Sequence, residues 1–368
     1  MRRIPFVDLK AQFADEREAL MPVVESCLAT GAWVGGEAVE RLEADLAARC
    51  GRAHAVALNS GTDALILGLK ALGIGPGDEV ITAPNSFIAS AGAIIAVGAV
   101  PVFADVRPDQ NIDPDAVAAA ITPRTRAIMP VHLTGRVADM DAVTAIAARH
   151  NLAVVEDAAQ SFGARYRGRP AGSFGHVGCF SAHPLKNLNA AGDAGFAVTD
   201  DAALAERMRR LRSHGLADRN SAPEWGLVSR MDALQAAILS FRLTRLAGVI
   251  ERRRANATLY RRHLAAVNAP CRDHEFNTFH LFVIQADDRD GLRSFLAEQG
   301  IATAIHYPIP IHLQPAAAGL GYGPGTFPEC ERQAARILSL PIHQFLTPED
   351  IDFVCDGIIR FMAARGAS

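Results

Sequence analysis

The chain has 368 residues and a net charge of -3, with 49% hydrophobic and 21% charged residues. A chain of this length can bury a sizeable core and form a large domain plus a smaller one. The composition is that of an ordinary soluble enzyme and implies no polyanionic partner, so we expect no nucleic-acid partner. Arginine clusters at 207–212 and 252–254 lie in helical patterns with acidic neighbours, so we expect solvated faces or subunit contacts there.

The cysteines and the start of the chain bear on where the protein works. Six cysteines form no C-x-x-C pair and no regular framework, which fits a reducing, cytoplasmic compartment best. The first residues are basic, but Asp8 and Lys10 precede any apolar segment, so no signal peptide is evident. Residues 80–104 are uncharged, yet Pro84 and Pro101 interrupt them. We interpret them as strand, helix and strand, and expect no membrane partner.

A short polar turn at residues 59–63 separates a predicted strand over 55–58 from a predicted helix over 64–69. Its sequence, Asn-Ser-Gly-Thr-Asp, is small and rich in hydroxyl groups. At the start of a helix such a turn offers free backbone N–H groups and the positive end of the helix dipole to an anion. The turn therefore predicts a phosphate site, with an ordinary Ser/Thr helix cap as the alternative.

The next segments alternate between strand and helix patterns. We predict strands over 79–82, near 100–105 and over 127–131, and helices after residue 113 and over 140–150. This alternation predicts a mostly parallel sheet covered by helices on both faces. Phe87, after the first of these strands, could stack on an aromatic ring or belong to the core. Residues 73–77 are glycine-rich, but they follow a helix and precede a strand, so we reject a Rossmann dehydrogenase.

Asp157 follows the apolar run 152–155, which is typical of a buried parallel strand. Its carboxylate should therefore lie at the carboxyl edge of the sheet, where open α/β folds bind their ligands. There it could pair with the ring nitrogen of a pyridine and keep it protonated, while Gln160 could hydrogen-bond a ring substituent. The alternative is that Glu156 and Asp157 cap a helix or bind a metal. No histidine or second carboxylate lies at ligand spacing, so we expect no metal.

Lys186 lies among small, apolar and hydroxyl-bearing residues, with no charged neighbour nearby in sequence. A lysine held away from water loses part of its preference for the charged form, and a neutral amine can form a Schiff base with an aldehyde. The alternative is a structural lysine that reaches solvent or forms a salt bridge. Together with Asp157, the phosphate turn and an aromatic residue, Lys186 indicates a site for pyridoxal 5'-phosphate.

A long helical pattern begins after Leu234 and continues to about residue 264. It is long enough to leave the first domain, and we expect a large domain over 1–245 and a smaller α+β domain over 246–368. In the smaller domain we predict strands over 279–286 and 302–306 and helices over 289–299, 329–338 and 348–361. The loop 306–315 is either a lid or substrate-facing segment or a plain loop.

A series of sequence blocks in this order follows the pattern of a known family: residues 5–9, 60–65, 75–80, 130–133, 156–160, 178–181, 186–188, 230–232, 234–237 and 306–310. On these blocks the chain resembles the DegT/DnrJ/EryC1/StrS family of sugar aminotransferases, nearly end to end. The resemblance implies aminotransferase fold type I, with a mostly parallel sheet between helices and a smaller α+β domain. It also implies amino transfer from glutamate or glutamine to a keto or aldehyde group of a sugar, most often linked to a nucleotide.

The resemblance assigns roles to four residues that face the cofactor ring. Lys186 would bind the cofactor as a Schiff base, Asp157 would face the pyridinium nitrogen, and Gln160 would contact the ring hydroxyl side. Phe87 would stack on the ring. Lys186 would then also act as the base that moves a proton during amino transfer.

The resemblance places the cofactor phosphate on Gly61, Thr62 and Ser181. Because the site is built across two subunits in this family, a two-fold homodimer is the expected assembly. The family usually has Asn-x-Arg before the Gln-Ala-Ala helix, and its asparagine reaches the phosphate of the neighbouring subunit's cofactor. Here residues 228–230 are Val-Ser-Arg, so this contact is in doubt.

Val228 has no donor to offer in place of that asparagine, and Ser229 or Arg230 could substitute for it. Two other functions are open on the same scaffold, a sugar dehydratase that uses the same cofactor and a non-enzymatic regulatory protein. Dehydratase relatives replace the Schiff-base lysine with histidine, so Lys186 argues against that function. The intact set of Lys186, Asp157 and Gln160 argues against a regulatory protein.

Overall fold

The computed structural model of the protein describes residues 2–264 and 271–366. Residue 1 of the predicted large domain and residues 265–270 and 367–368 of the predicted small domain lie outside this part of the chain. The described strands are β1 (His54–Leu58), β2 (Glu79–Thr82), β3 (Val100–Phe103), β4 (Thr125–Met129), β5 (Ala153–Asp157), β6 (Arg165–Tyr166), β7 (Arg169–Pro170), β8 (Val177–Ser181), β9 (Gly195–Thr199), β10 (Glu275–Phe276), β11 (Phe282–Gln285) and β12 (Ile337–Leu340).

Helices connect these strands and cover the sheet. The described helices are α1 (Leu9–Ala29), α2 (Glu37–Cys50), α3 (Gly61–Ala71), α4 (Ala89–Ala96), α5 (Pro114–Ala119), α6 (Met140–His150), α7 (Ala202–Leu211), α8 (Ala233–Leu264), α9 (Arg289–Glu298), α10 (Pro328–Arg336) and α11 (Pro348–Gly366). The bounds of α6 are the predicted ones, because local signals fix both ends. The side chain of Asp139 accepts a hydrogen bond from the N–H of Ala142, and Asn151 ends the helix in the left-handed conformation.

The central sheet has seven strands in the order β1, β9, β8, β5, β4, β2, β3. β9 runs antiparallel to both of its neighbours, and the other neighbouring strands pair in parallel. Side chains of β1 alternate between two cores, with Val56 and Leu58 packed among α3, α4 and α7 and Ala55 and Ala57 packed among α2 and α8. The predicted α/β fold, a mostly parallel sheet between helices, is confirmed.

A separate core occupies the C-terminal part of the chain. It lies between the second half of α8, α9, α11 and the β11–β12 pair, and Ile4 from the start of the chain belongs to it. The boundary predicted at residue 245 falls within α8, which continues through it without a break. The division into domains over 1–245 and 246–368 stays a prediction.

One predicted element in this part is wrong, and one helix, α10, ends two residues earlier than predicted. Residues 302–306 form no strand, since the backbone there makes a single bridge, from Ala304 to Ser339. The end of the helix predicted over 329–338 is instead the start of β12, which pairs antiparallel with β11. All four residues of β12 are buried, and a short buried apolar run has no periodicity that distinguishes strand from helix.

One described helix, α8, is long and apolar enough to cross a membrane by length and composition. It packs instead against α1, α2 and α11, and its buried residues belong to two of the protein's cores. We therefore interpret α8 as the core helix of a soluble fold.

Candidate active site

All seven predicted site residues line one cavity of about 380 Å³ at the carboxyl edge of the central sheet. They are Gly61, Thr62, Phe87, Asp157, Gln160, Ser181 and Lys186. The volume lies within the range of small-molecule sites, roughly 300–1,000 Å³. The position is the one expected of ligands in open α/β sheets, because β5 and β8 run in parallel and end together.

Asp157 is the last residue of β5 and is 5% exposed. Both of its carboxylate oxygens accept hydrogen bonds: Oδ2 from the hydroxyl of Ser90 at 2.6 Å and Oδ1 from the N–H of Ala159 at 3.2 Å. The hydroxyl of Ser86 lies 2.9 Å from that of Ser90 and extends this chain of hydrogen bonds. These contacts fix the direction of the carboxylate at the cavity wall. Ser90 was missed in the sequence because nothing local links it to Asp157.

Glu156, one residue earlier, is fully buried, and its carboxylate contacts a loop instead of capping a helix. It accepts hydrogen bonds from Nε2 of His132 and from the N–H groups of Gly172, Phe174 and Gly175. Burial by itself would raise the pKa of Glu156, but these bonds outweigh it and hold the pKa below its ordinary value. Glu156 thus ties the 172–175 loop to the strand that positions Asp157.

Lys186 lies in the turn after β8 and faces the same cavity as Asp157. Desolvation lowers the pKa of its amine from 10.5 to about 8, although the charge of Asp157 opposes the shift. A substantial fraction of the amine is therefore neutral near pH 8, as a nucleophile or proton acceptor requires. Two imidazoles of the cavity wall stay neutral around pH 7: burial and Lys186 lower the pKa of His306 to about 4 and that of His280 well below 6.5.

Gly61 and Thr62 lie in the first turn of α3, whose N–H groups have no partner within the helix. The Ser60 hydroxyl caps this turn by accepting a hydrogen bond from the N–H of Asp63. A Cβ at position 61 would lie 2.6 Å from the Cβ of Ser181, so only glycine allows β8 to approach this closely. The Ser181 hydroxyl thereby meets the positive end of the α3 dipole, which suits a phosphate.

Gln160 and Phe87 form the part of the wall near Tyr307. The amide oxygen of Gln160 accepts a hydrogen bond from the N–H of Thr134, which turns its NH₂ group towards the Tyr307 hydroxyl at 3.3 Å. Phe87 is 55% exposed, so it is not a core residue, and its ring centroid lies 5.6 Å from that of Tyr307. Burial, followed by the charge of Asp157, raises the pKa of Tyr307 to about 12.

Sequence reasoning missed Arg253, and its assignment to a solvated or subunit-contact cluster is wrong. Arg253 is 5% exposed and lines the cavity. The signal was present, since Arg253 lies three residues after buried Ile250 and four before buried Ala257, on the apolar stripe of α8. His306 and Tyr307 lie in the loop 306–315, and their position in the cavity wall favours the substrate-facing interpretation of that segment.

These residues fit pyridoxal phosphate. The cavity has a lysine with a lowered pKa, a carboxylate fixed by two hydrogen bonds and an anion-suited helix start where a larger residue than Gly61 would clash. The exposed Phe87 ring offers an apolar surface on the same wall. A phosphate, a pyridine nitrogen and an aldehyde each have a matching group in this set.

Comparison with known proteins decides the family. Residues 14–359 match the DegT/DnrJ/EryC1/StrS aminotransferase family. The chain belongs to this family. The family predicted from the sequence blocks is thereby confirmed.

Named members of the DegT/DnrJ/EryC1/StrS family are similar over nearly the whole chain. The dTDP-3-amino-3,4,6-trideoxy-alpha-D-glucose transaminase of Streptomyces venezuelae is 47% identical, over 92% of this chain and 91% of the relative. A relative from Geobacillus stearothermophilus, named pleiotropic regulatory protein, is 43% identical over 97% of this chain and 98% of its own length. The crystal structure of S. venezuelae DesV in complex with a ketimine intermediate has a TM-score of 0.96 and 44% identity, covering 98% of this chain and 99% of that one.

Residues 228–230, where the chain departs from the DegT/DnrJ/EryC1/StrS pattern, have contrasting surroundings. Val228 is 53% exposed, and Arg230 is exposed as well. Ser229 is fully buried, and its hydroxyl lies 3.2 Å from the side-chain oxygen of Asn59 in the same chain. The engaged Ser229 hydroxyl favours Arg230 as the group that replaces the family's asparagine.

Proposed function

We propose that this protein is a pyridoxal-phosphate-dependent aminotransferase that moves an amino group from glutamate or glutamine to a keto or aldehyde group of a nucleotide-linked sugar. The enzyme class and the cofactor predicted from the sequence are confirmed by family membership. The observation that carries the proposal is one cavity in which the lysine of lowered pKa and the hydrogen-bonded carboxylate at the end of β5 both lie. The S. venezuelae relative is named for a dTDP-linked amino sugar, which supports a nucleotide-linked acceptor.

Different residues of the cavity have different roles in amino transfer. Pyridoxal phosphate supplies, when bound, an aldehyde carbon that can carry an amino group and a pyridine ring that can accept an electron pair. The Nζ of Lys186 would accept the proton that leaves the donor's α-carbon and return it to the former aldehyde carbon on the other side of the amino nitrogen, and a pKa near 8 suits both directions. Asp157, oriented by Ser90 and Ala159, would hold the proton on the ring nitrogen. In a full cycle the amino acid becomes its oxo acid, and the keto sugar becomes an amino sugar.

The phosphate would be held by the first turn of α3. The N–H groups of Gly61 and Thr62 point out of that turn, and the Ser181 hydroxyl lies against it. Gln160 would contact the ring hydroxyl, and Phe87 would cover a face of the ring and exclude water from it.

We also propose a two-fold homodimer whose interface includes an apolar surface formed by Trp33, Val34, Leu227 and Val228. These side chains are 58%, 54%, 41% and 53% exposed. Backbone contacts attach Trp33 and Val34 to residues 232–233, a few positions after Val228, since Val34 pairs with Asp232 and the N–H of Ala233 donates to the Trp33 carbonyl. Soluble monomers rarely expose such surfaces, and a second copy would cover this one. Sedimentation of Trp33→Glu should show monomers where the unchanged protein sediments as a dimer.

A reducing, cytoplasmic location is part of the proposal. All six cysteines lie in the described part of the chain, all are free thiols, and five are buried. Free thiols persist where the surroundings are reducing. Alkylation of protein released from cells into denaturant should therefore label all six, whereas protected cysteines would contradict this location.

The function is tested by a screen of nucleotide-linked keto sugars with glutamate and glutamine, read by mass spectrometry. We expect an amino sugar from at least one of them and none with Lys186→Ala. A product that has lost water without gaining nitrogen would indicate a dehydratase. Cofactor binding without turnover of any sugar would favour a regulatory protein, as one relative is named.

A further inference from the structure

Arg253 on α8 is a buried cation with no carboxylate partner in the described part of the chain. Its Nη1 donates hydrogen bonds to the carbonyl oxygens of Phe279 at 3.2 Å and His280 at 3.3 Å. Its Nε is buried and has no hydrogen-bond partner among the described residues. A guanidinium has five N–H donors, so most of its capacity is left over. Burial lowers the pKa of Arg253 only to about 10, so the group keeps its charge around pH 7.

The charge of Arg253 lies in the wall of the candidate active site, where a bound anion could compensate it. This arginine lines the same cavity as Lys186, His280 and His306, and the charges of Lys186 and Arg253 both act on His280. We call these four residues the cationic side after Lys186 and Arg253, since the two imidazoles are neutral. Two carboxylates line the cavity, and neither compensates Arg253, because Asp157 is bonded to Ser90 and Ala159 while Asp193 is exposed. A buried arginine without a carboxylate is costly unless an anion satisfies it.

We propose that Arg253 binds the α-carboxylate of the amino donor. This inference rests on the proposed function, in which Lys186 removes a proton from the donor's α-carbon. The α-carboxylate is attached to that same carbon, so its binding group must lie near the lysine. The planar fork of a guanidinium matches a carboxylate with two parallel hydrogen bonds.

The other anions of the reaction fit Arg253 less well. The cofactor phosphate has its own site at the first turn of α3 and Ser181. The diphosphate of a nucleotide-linked sugar is bulky and joined to a nucleoside, whereas Arg253 is 5% exposed and lies within the cavity wall. A compact carboxylate enters such a place more readily than a substituted diphosphate.

The two half-reactions of the holoenzyme test the proposal separately. The conversion of the cofactor by glutamate is followed by its absorbance, and the reverse conversion by the amino sugar is followed in the same way. Arg253→Met should weaken glutamate binding about 30-fold or more, as expected when one partner of a buried charge pair is removed. Arg253→Lys should restore part of it, and the amino-sugar half-reaction should keep its wild-type affinity. Arg262→Met, the same change at an exposed position of α8, should alter neither.

Two further measurements separate recognition from structural support of the 279–280 backbone. Wild-type enzyme should prefer glutamate to 4-aminobutyrate, which lacks the α-carboxylate, and Arg253→Met should lose most of that preference. Glutarate, an unreactive dicarboxylate, should bind the wild-type holoenzyme in calorimetry and bind Arg253→Met more weakly by a similar factor.

The possible results are distinct. An unchanged preference for glutamate, or a parallel loss in both half-reactions with a lower melting temperature, would mean that Arg253 is structural and would overturn the proposal. Loss confined to the amino-sugar half-reaction would assign the site to the sugar substrate and would also overturn it. A wild-type enzyme that binds glutarate through Arg253 but aminates no sugar would contradict the proposed function and leave the carboxylate site standing.

Discussion

The cavity has two sides, the cationic side and the one formed by Asp157 and Gln160, which we call the Asp157 side. They differ in how far their polar atoms are hydrogen-bonded within the chain. On the Asp157 side, the polar atoms of Asp157 and Gln160 are hydrogen-bonded within the chain. On the cationic side, Nε of Arg253 and Nδ1 of His280 are buried without a partner among the described residues. We infer that the Asp157 side supports the cofactor ring, whereas the cationic side, apart from Lys186, keeps hydrogen-bonding capacity for substrate.

The largest effect is expected at Lys186, the residue of the cationic side that we propose bonds to the cofactor. Lys186→Ala should lower activity by at least about 10⁴-fold, since it removes both the nucleophile and the base. Borohydride should fix the cofactor to a peptide containing Lys186 in the unchanged protein and to none in the variant. Lys70→Ala is the matched control, because the Lys70 amine donates to the Trp225 carbonyl, away from the residues that line the cavity. Label on Lys70 or Lys10 would refute the assignment.

Asp157→Asn tests the Asp157 side, because it removes the carboxylate and changes no side chain of the cationic side. The amide cannot hold a positive charge on the ring nitrogen, so we expect turnover to fall about 10²–10³-fold, the range for one electrostatic stabiliser. Cofactor binding should persist. Asp193→Asn, at an exposed position of the same cavity, is the control and should keep its rate. Near-normal turnover of Asp157→Asn would show that Asp157 has another role.

The Asp157 side was predictable because Asp157 and the 59–63 turn each follow a strand that the sequence pattern shows. A run of apolar residues followed by Asp157, and a strand followed by the 59–63 turn, are local patterns, and parallel strands bring their ends to one edge. The cationic side joins Lys186 to Arg253, His280 and His306, which are far apart in sequence. Their meeting depends on how the C-terminal core packs on the sheet, which no local pattern encodes. The same limit explains β12, a short buried run without helical or strand periodicity.

The electrostatic interaction between Asp157 and Lys186 can be measured through the pKa of the Lys186 amine. With a pKa of about 8 in place of 10.5, the neutral amine at pH 7 is about 300-fold more abundant than in an ordinary lysine. Cofactor should reattach to the cofactor-free protein faster as pH rises, with a midpoint near 8, because only the neutral amine attacks the aldehyde. Since the charge of Asp157 raises this pKa, Asp157→Asn should move the midpoint lower. A midpoint near 10.5 would mean that water solvates the amine.

The smallest effect is expected on cofactor dissociation, which tests whether the second subunit contacts the cofactor phosphate. A charge-assisted donor to phosphate contributes roughly 1.5–3 kcal/mol, so Arg230→Ala should speed cofactor dissociation by about tenfold or more if Arg230 reaches across the dimer. Val228→Asn, which restores the family's donor, should slow dissociation. Arg219→Ala, at an exposed position of the same segment, should leave the rate unchanged.

The outcome at Val228 and Arg230 decides where the phosphate site ends. If Arg230→Ala and Val228→Asn both leave dissociation unchanged, Gly61, Thr62 and Ser181 of one subunit hold the phosphate by themselves. The site would then be completed within one chain, and the apolar surface around Trp33 would serve assembly alone. If the two variants move dissociation in opposite directions, the neighbouring subunit completes the phosphate site. Diluting the protein until the dimer dissociates should then release the cofactor as well.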